Sequence, residues 1–559
     1  MKQATLPLPG IESAKTLGAF YTDAQVADFL VWWAVRSGQD TVMDPSFGGG
    51  VFLRSACQRI AQLGGKPAGQ VHGVEVDAGT HTRISEKLGD EFGVATAHLV
   101  LSDFFAVGAV AERQMDAVIG NPPFIRYQRF SGSQRQRALQ RAAEQGVRLS
   151  ELCSSWAPFL VHSTAFVKRG GRLAMVLPME VAHAAYARPV LRFLEASFET
   201  VTFLTFRKKL FPDLSEDTLL LLAENRGAAC SRFAIRDIAH AGVLADLQRF
   251  AALPLPETVE MDRAAVAAGE QRIIEYVLPR EARELYARLK TSGAARRLGE
   301  LADVGIGYVT GANEFFHLQP KEAIRWNIPE AYLRPAVLRG RALNGLSFGD
   351  HDWDDSVRAG EGRYLLQIGR GAELPADVMR YLDHGETLGV PKAYKCRTRS
   401  PWYRVPHVYQ PDAFLSYMSG ITPRLVANDA GAVAPNSLHI LRLRSGVTVT
   451  AAQLAALWQT SLTRLSCEIE GHALGGGMLK IEPTEAERVL VAAGGEGLTA
   501  LAHELDGMVR AGAAGEAQTQ ADDVILRRGL GLSAKDCRVL REAAETLGHR
   551  RYSRGGAAQ

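Results

Sequence analysis

The sequence predicts an α/β protein, with a mainly parallel, helix-covered sheet over residues 1–228 and an α+β domain over 295–492. Three observations carry this. Strand-like segments alternate with helical segments of ten or more residues in the first part of the chain, the pattern of a sheet covered on both faces. A glycine-rich turn follows the first strand, and acidic residues close the next two. Beyond about residue 225 the alternation fades into short strands punctuated by glycine, proline and aromatic residues.

Taken in order, Val26, Phe29, Leu30 and Trp33 have helical spacing and predict a helix over 23–36. A strand over 41–43 ends in the glycine turn, and a helix follows over 51–62. Strands are predicted at 70–76, 95–101, 115–119, 173–177, 201–206 and 218–223. The last two have no intervening helix, so an antiparallel hairpin at the sheet edge is expected. Residues 229–294 read as a connecting segment with a helix near 281–290. In the second half a short strand is expected within 305–310 and a helix at 451–460. A helical tail over 493–559 has helices at 493–512 and 533–547, joined by an Ala/Gly/Gln stretch.

Length and composition narrow the class. A chain of 559 residues with 47% hydrophobic residues supports two large cores. Apolar runs such as 219–223 are far too short to span a membrane, and residues 1–10 lack a signal-peptide pattern, so a cytoplasmic location is expected. Cysteines at 57, 153, 230, 396, 467 and 537 form no Cys-x-x-Cys pair, and neither a disulfide framework nor a metal cluster is expected. The net charge of +3 leaves any nucleic-acid surface to local basic segments.

Three strand ends carry ligand chemistry. Asp44-Pro45-Ser46-Phe47-Gly48-Gly49-Gly50 lets backbone approach a ligand and offers a helix N-terminus, but lacks the Gly-Lys-Ser/Thr ending of a nucleotide-phosphate loop. Glu75 ends the next strand, beside Val76, where a carboxylate can accept both hydroxyls of a ribose; Asp77 is the alternative in a slipped register. Asp103-Phe104 follows the third strand, suited to an adenine amino group and ring.

The fourth strand breaks into Asn121-Pro122-Pro123-Phe124. Two prolines stiffen the loop, and the Asn121 side-chain oxygen with the Pro122 carbonyl can accept both hydrogens of an exocyclic amine. Such a grip aims the nitrogen lone pair at a methyl sulfonium, while Phe124 offers a stacking face to an extruded base.

With these motifs in this order, the chain resembles the gamma-class N6-adenine DNA methyltransferases, the family of the TaqI and Eco57I-like enzymes. Gly18-Ala19-Phe20-Tyr21-Thr22 looks like the family's N-terminal cofactor motif, in which Phe20, Tyr21 and Thr22 lie near the methionine part of the cofactor. Asp44 to Gly50, Glu75-Val76, Asp103-Phe104 and Asn121 to Phe124 are similar to its later motifs, and Asn121 is also implied to touch the cofactor. The resemblance implies a Rossmann-like class I methyltransferase domain with a seven-stranded sheet and S-adenosylmethionine as cofactor. It further implies a C-terminal target-recognition domain and double-stranded DNA as substrate. Phe211 aligns with the aromatic on the other face of the flipped adenine. Phe124 stands where relatives commonly have tyrosine, and Leu214 where the TaqI enzyme has a lysine, a role left to Lys208 or Lys209. A restriction-modification or other host-defence role is implied as well; a cognate endonuclease acting separately is a possible partner, and a monomer is the favoured state.

Basic and aromatic residues interleave in Lys392, Lys395, Arg397, Arg399, Trp402, Tyr403 and Arg404, with no acidic residue between them; DNA contact and a solvated face are both compatible with that. Arg126, Tyr127 and Arg129 follow the catalytic loop, and four arginines in 134–148 suit either a lid or an exposed helix. The glycine-rich stretch 472–480 suits a groove or a linker. The amine grip itself also fits a protein glutamine-N5 or an RNA adenine methyltransferase, and the fold alone fits a non-catalytic DNA-binding subunit.

Overall fold

The computed structural model describes residues 22–211, 217–250, 255–495 and 497–554. These divide into two compact units, one within residues 22–278 with 474–476 and 552–554, the other within 279–473 and 477–551.

The first unit is built on a mixed, mostly parallel sheet. Its strands are β1 (Val42–Asp44), β2 (Val71–Glu75), β3 (Leu99–Leu101), β4 (Met115–Gly120), β5 (Val167–Pro178), β6 (Phe198–Phe206), β7 (Thr218–Arg226), β8 (Arg232–Ile238) and β9 (Val259–Glu260), in the spatial order 3-2-1-4-5-7-6-8-9. The helices that matter for the site are α1 (Ala24–Ala34), α2 (Val51–Gln62), α3 (Ala78–Phe92), α4 (Gly132–Glu144) and α5 (Trp156–Ala165). Continuous burial of β5, whose residues 173–178 are all inaccessible, explains its unbroken apolar run.

Two expectations are corrected. The sheet has nine strands rather than seven, because residues 232–238 pair in parallel with β6 and 259–260 pair with them in turn. Residues 232–238 and 259–260 of the stretch read as a connector therefore belong to this sheet. The antiparallel strand β7 is also not at the edge: it lies between β5 and β6 and pairs with both. Its residues 218–223 are buried on both faces, and a run of four leucines is stable only with neighbours on either side. Residues 96–98 form a 3-10 turn, which shortens the third strand to its last three residues.

The second unit contains a five-stranded sheet in the order Ala302–Ile306, Leu438–Leu443, Ala413–Ser416, Leu425–Asn428, Ser347–Phe348. The strand expected within 305–310 thus lies earlier, pairing antiparallel with Leu438–Leu443. Phe348, Phe414, Val426 and Ile440 form one core, while Tyr308, Phe315, Phe316 and Tyr381 form another around a three-stranded sheet. The helix expected over 451–460 ends at Leu457 and a further helix, Ser461–Glu470, follows, each capped by the threonine before it.

The tail is integral to this unit. Leu498–Arg510, Ala514–Ala521 and Ala534–Arg554 are helical, and the Ala/Gly/Gln stretch expected between helices is itself largely helical. Asp522 is buried, accepts from the Ser461 amide at 2.8 Å and hydroxyl at 2.6 Å, and pairs with Arg541 at 2.9 Å. Arg551 forms a buried pair with Glu468 at 2.8 Å and donates to the Gly420, Ile421 and Gly477 carbonyls. Among the described residues, no helix is long and apolar enough to cross a membrane, and no group of three or more His, Cys, Asp or Glu side chains is placed to hold a metal ion.

Candidate active site

Parallel strands deliver their carboxyl ends to one edge of the sheet, where β1 and β2 end in Asp44 and Glu75, and Asp103 and Asn121 follow the ends of β3 and β4. Asp44 closes β1 and is almost inaccessible. Its Oδ1 accepts from the Ser46 amide at 3.0 Å, while Oδ2 is buried with no hydrogen-bond partner. Burial pushes the carboxyl up to about 8 against the lowering effect of the Ser46 amide, and the nearby Glu75 charge adds to the rise. Gly120, closing β4, leaves room for this carboxylate, since a Cβ there would sit 2.9 Å from Asp44 Oδ1. Gly50 is left-handed at φ 76° and starts α2; a side chain there would be strained and would strike Ile84 at 2.6 Å.

Glu75 closes the loop from the other side. Its Oε2 accepts from the Gly48 amide at 2.9 Å, and its Oε1 accepts from the amides of Val76 at 3.0 Å and Asp77 at 2.9 Å. Asp77 turns away and caps α3 through the Thr80 amide, so of the two it is Glu75 that is bonded to the glycine loop. Val76 is 55% exposed, and Leu101, paired with Glu75 across the β2–β3 ladder, is 50% exposed. The two make an apolar step beside the carboxylate, of which the sequence had pointed only to Val76.

Asp103 accepts from the Phe105 amide at 3.1 Å and pairs with Arg137 of α4 at 3.0 Å. Phe104, expected to cover a ligand ring, packs inward against Phe159, His162 and Phe166 with centroids 4.6–5.3 Å away. Two phenylalanines and a buried histidine thus hold it in the core. The arginines of α4 are tethered as well: Arg135 pairs with Glu151, and Arg141 holds Glu144 and the Phe105 carbonyl.

The loop after β4 is gripped from both sides. The Ser46 hydroxyl donates to the Asn121 carbonyl at 3.3 Å, tying the glycine loop to the tetrad. The Asn121 Nδ2 donates to the Thr22 hydroxyl at 3.2 Å, leaving Oδ1 buried with no hydrogen-bond partner. Phe20 and Tyr21 lie outside the described residues. On the far side, the buried Ser155 hydroxyl donates to the Pro123 carbonyl and accepts from the Ile125 amide at 2.8 Å. The Ser155 amide in turn donates to the Ile125 carbonyl at 2.9 Å. Next to it the Trp156 indole donates to Glu180 at 3.0 Å and to the Tyr186 oxygen at 2.9 Å. Burial, with the Glu180 carboxylate beside it, holds the Tyr186 phenol well above its usual range. Nothing in the sequence singles out Ser155, because serine before a helix is commonplace. Pro122 and Phe124 are buried, and Phe124 and Phe211 belong to the same apolar cluster of this unit. Leu214 lies outside the described residues. Arg126, Tyr127 and Arg129 are exposed beyond the loop.

In the second unit, Lys392, Lys395 and Arg397 are exposed, but Arg399 donates to the Thr310 and Val309 carbonyls at 2.7 and 2.6 Å. Trp402 packs on Phe315 and Phe316 and donates to Glu386 at 3.3 Å; Tyr403 packs on the same core, and Arg404 is half-buried. The ring that faces solvent is Tyr394, 66% exposed, with the Lys395 ammonium 5.6 Å and the Arg397 guanidinium 5.2 Å from its centroid. A cavity of about 340 Å³, unforeseen from the sequence, carries Arg339, Arg341 and Arg363 over Val337 and Phe348.

Comparison with known proteins covers both units. Residues 10–224 match the family model N-6 DNA Methylase, and 270–526 match the model of the C-terminal domain of type II methyltransferase M.Eco57I. The type II methyltransferase M.AccI of Acinetobacter calcoaceticus is 20% identical over 487 residues, 86% of each chain. The type II methyltransferase M.XamI of Xanthomonas campestris pv. amaranthicola is 22% identical over 497 residues, 86% of this chain and 85% of that relative. A solved structure of the type IIL restriction-modification enzyme MmeI in complex with DNA has the same fold at TM-score 0.54 and 12% identity, over 96% of this chain and 75% of that one.

Proposed function

The chain belongs to the Eco57I-like type II N6-adenine DNA methyltransferases, and on that premise we propose that Asn121 to Phe124 is the loop presenting adenine N6 for methylation. The enzyme is a site-specific adenine-N6 DNA methyltransferase of the restriction-modification type, with S-adenosylmethionine as cofactor and double-stranded DNA as substrate. The roles of individual residues, the place of the units and the remaining partners are our assignment.

The carrying observation is the buried, unpartnered Oδ1 of Asn121. A buried acceptor left unsatisfied costs about 1–3 kcal/mol, and an amine hydrogen removes that cost. With the Pro122 carbonyl as second acceptor, both N6 hydrogens are held, electron density is drawn onto nitrogen, and its lone pair is aimed. Phe124 stacks on one face of the extruded base, with Phe211 assigned to the other.

The cofactor's chemistry fits this edge of the sheet. When bound, it supplies a methyl group on a positively charged sulfur. Asp44, with a buried, unpartnered Oδ2, suits its ammonium; Glu75 suits the ribose hydroxyls; Asp103 suits the adenine amine; Val76 suits the ring. Pro45, Ser46, Gly48, Gly50 and Thr22 shape the cradle, and Phe20 and Tyr21 are assigned to it by resemblance. Asn121 and the Pro122 carbonyl would orient N6 toward that methyl group, and the proton lost from N6 would leave to solvent. Asn121 is an amide and accepts no proton; its part is to orient.

We read the first seven strands as a class I methyltransferase sheet extended by β8 and β9, and the second unit as the target-recognition unit. Lys392, Lys395, Arg397 and Tyr394 present its DNA face, built on Arg399, Trp402 and Tyr403; Arg404, Arg126 and Tyr127 are assigned to DNA as well. A cytoplasmic monomer acting beside a separate endonuclease completes the reading.

The test is transfer of labelled methyl from S-adenosylmethionine to plasmid DNA, with total RNA and protein as competing substrates and Asn121→Ala as control. Label on adenine N6 of the plasmid, lost in the variant, is expected. No label in DNA from the wild-type protein, or equal label from the variant, overturns it.

A further inference from the structure

Ser155 stands immediately before α5, where a serine hydroxyl ordinarily caps the first free amides of its helix. Here it makes no such cap. Its backbone is already helical, at φ −59° and ψ −27°, and the hydroxyl points instead to a loop thirty residues earlier in the chain. There it donates to the Pro123 carbonyl and accepts from the Ile125 amide, while its own amide donates to the Ile125 carbonyl.

The peptide groups it holds are those on either side of Phe124. Two prolines stiffen the loop before that residue, yet they remove two backbone donors, so the loop cannot be fixed by a strand ladder of its own. Ser155 supplies the missing partners. Its own position is secured in turn, because the adjacent Trp156 is fully buried and bonded to Glu180 and Tyr186 beyond the end of β5. A chain of bonds thus runs from the end of β5 through Trp156 and Ser155 to the loop after β4. Ser46 secures the opposite side at the Asn121 carbonyl.

We propose that Ser155 is a positioning residue for methyl transfer, its hydroxyl setting the two peptides that flank Phe124 and so the face on which the flipped adenine rests. The inference rests on the assignment of Asn121 to Phe124 as the catalytic loop. The bland alternative, a hydroxyl that merely satisfies buried backbone, affects folding and leaves turnover alone.

The test uses the full chain with Ser155→Ala and the near-isosteric Ser155→Cys, each alone and in a Phe124→Ala background. Single-turnover transfer to plasmid DNA, cofactor affinity and thermal unfolding are measured for every variant. A small misplacement of reacting groups can cost on the order of a hundredfold in rate. Ser155→Ala is therefore expected to lower the transfer rate by about ten- to a hundredfold, Ser155→Cys by less, with cofactor affinity within about twofold of wild type. In the Phe124→Ala background the same changes should cost less than about threefold, because the face they position is gone. Rates within about twofold of wild type overturn the proposal. So does an equal loss in both backgrounds, or a loss that follows cofactor affinity and unfolding temperature downward together. Should Ser155→Ala not fold, Ser155→Cys alone decides by the same criteria. If wild-type protein labels no DNA, it is the assignment of the loop that fails, an outcome separate from any ratio between variants.

Discussion

The side-chain oxygen of Asn121 and the outer carboxylate oxygen of Asp44 are both buried and both without a hydrogen-bond partner, at the carboxyl ends of the paired strands β4 and β1. Most buried polar atoms in folded proteins are bonded, so two such atoms at one sheet edge mark where donors are meant to arrive. Replacing Asn121 by alanine removes the acceptor for the amine. Loss of one preorganised group of this kind costs about 10²–10³ in turnover. Tritium transfer to plasmid DNA should fall by that order while duplex affinity holds, and a loss below about fivefold would argue against the grip.

Asp44 makes stability depend on pH. Its carboxyl is raised by burial from an ordinary 3.8 to about 8 in the fold without cofactor. Between those values the unfolded chain has released this proton and the native state keeps it, so the contribution of Asp44 to stability falls as pH rises through the window. Asp44→Asn should flatten that decline in a series of thermal melts from pH 5 to 8. The same variant should bind S-adenosylmethionine more weakly, having lost the charge opposite the ammonium. Wild-type binding at pH 7 should release a fraction of a proton, visible as a dependence of calorimetric enthalpy on buffer. An unchanged slope in the variant, or no proton release, would contradict the assignment.

Tyr394 and its cationic neighbours separate two kinds of DNA contact. Removing a stacked ring costs about 1–3 kcal/mol without changing the number of neutralised phosphates. Tyr394→Ala should therefore weaken duplex binding at every salt concentration and leave the salt slope unchanged. Lys395→Ala and Arg397→Ala should each lower the slope by about one. Trp402→Ala should instead lower the unfolding temperature, since its ring packs on Phe315 and Phe316. Fluorescence anisotropy across a salt series distinguishes these outcomes.

Arg551 and Glu468 form a buried ion pair between the last helix and Ser461–Glu470. Removing one member strands the other charge, at a cost of about 3–5 kcal/mol. Urea unfolding should show a loss of that order for Arg551→Met, and a smaller one for Arg551→Met with Glu468→Leu. Equal losses in the single and double variants would mean that the pair itself contributes little.

Much of the candidate site's layout at the strand ends was legible in the residues because its requirements are local. Asp44 to Gly50, Glu75 and Asn121 to Phe124 each need a particular residue at a strand end, and strands show themselves by their apolar runs. Phe104 follows a strand end like the others, and only its neighbours Phe159, His162 and Phe166 show how its ring is packed. Within 392–404 the cations and rings were equally visible, yet composition cannot tell Tyr394, turned to solvent, from Trp402, turned inward.

The sequence by itself determined the strand-and-turn order of the first unit, the placing of Asp44, Glu75 and Asn121 at strand ends, and the family resemblance, since each is written within a few consecutive residues. Tertiary structure alone decided that β7 enters the sheet between β5 and β6, that Arg137 belongs to Asp103, that the tail is bolted down by Arg551, and that Ser155 holds the loop around Phe124. Those partners are far apart along the chain, carry no periodic signal, and meet only when burial brings their unsatisfied polar groups together.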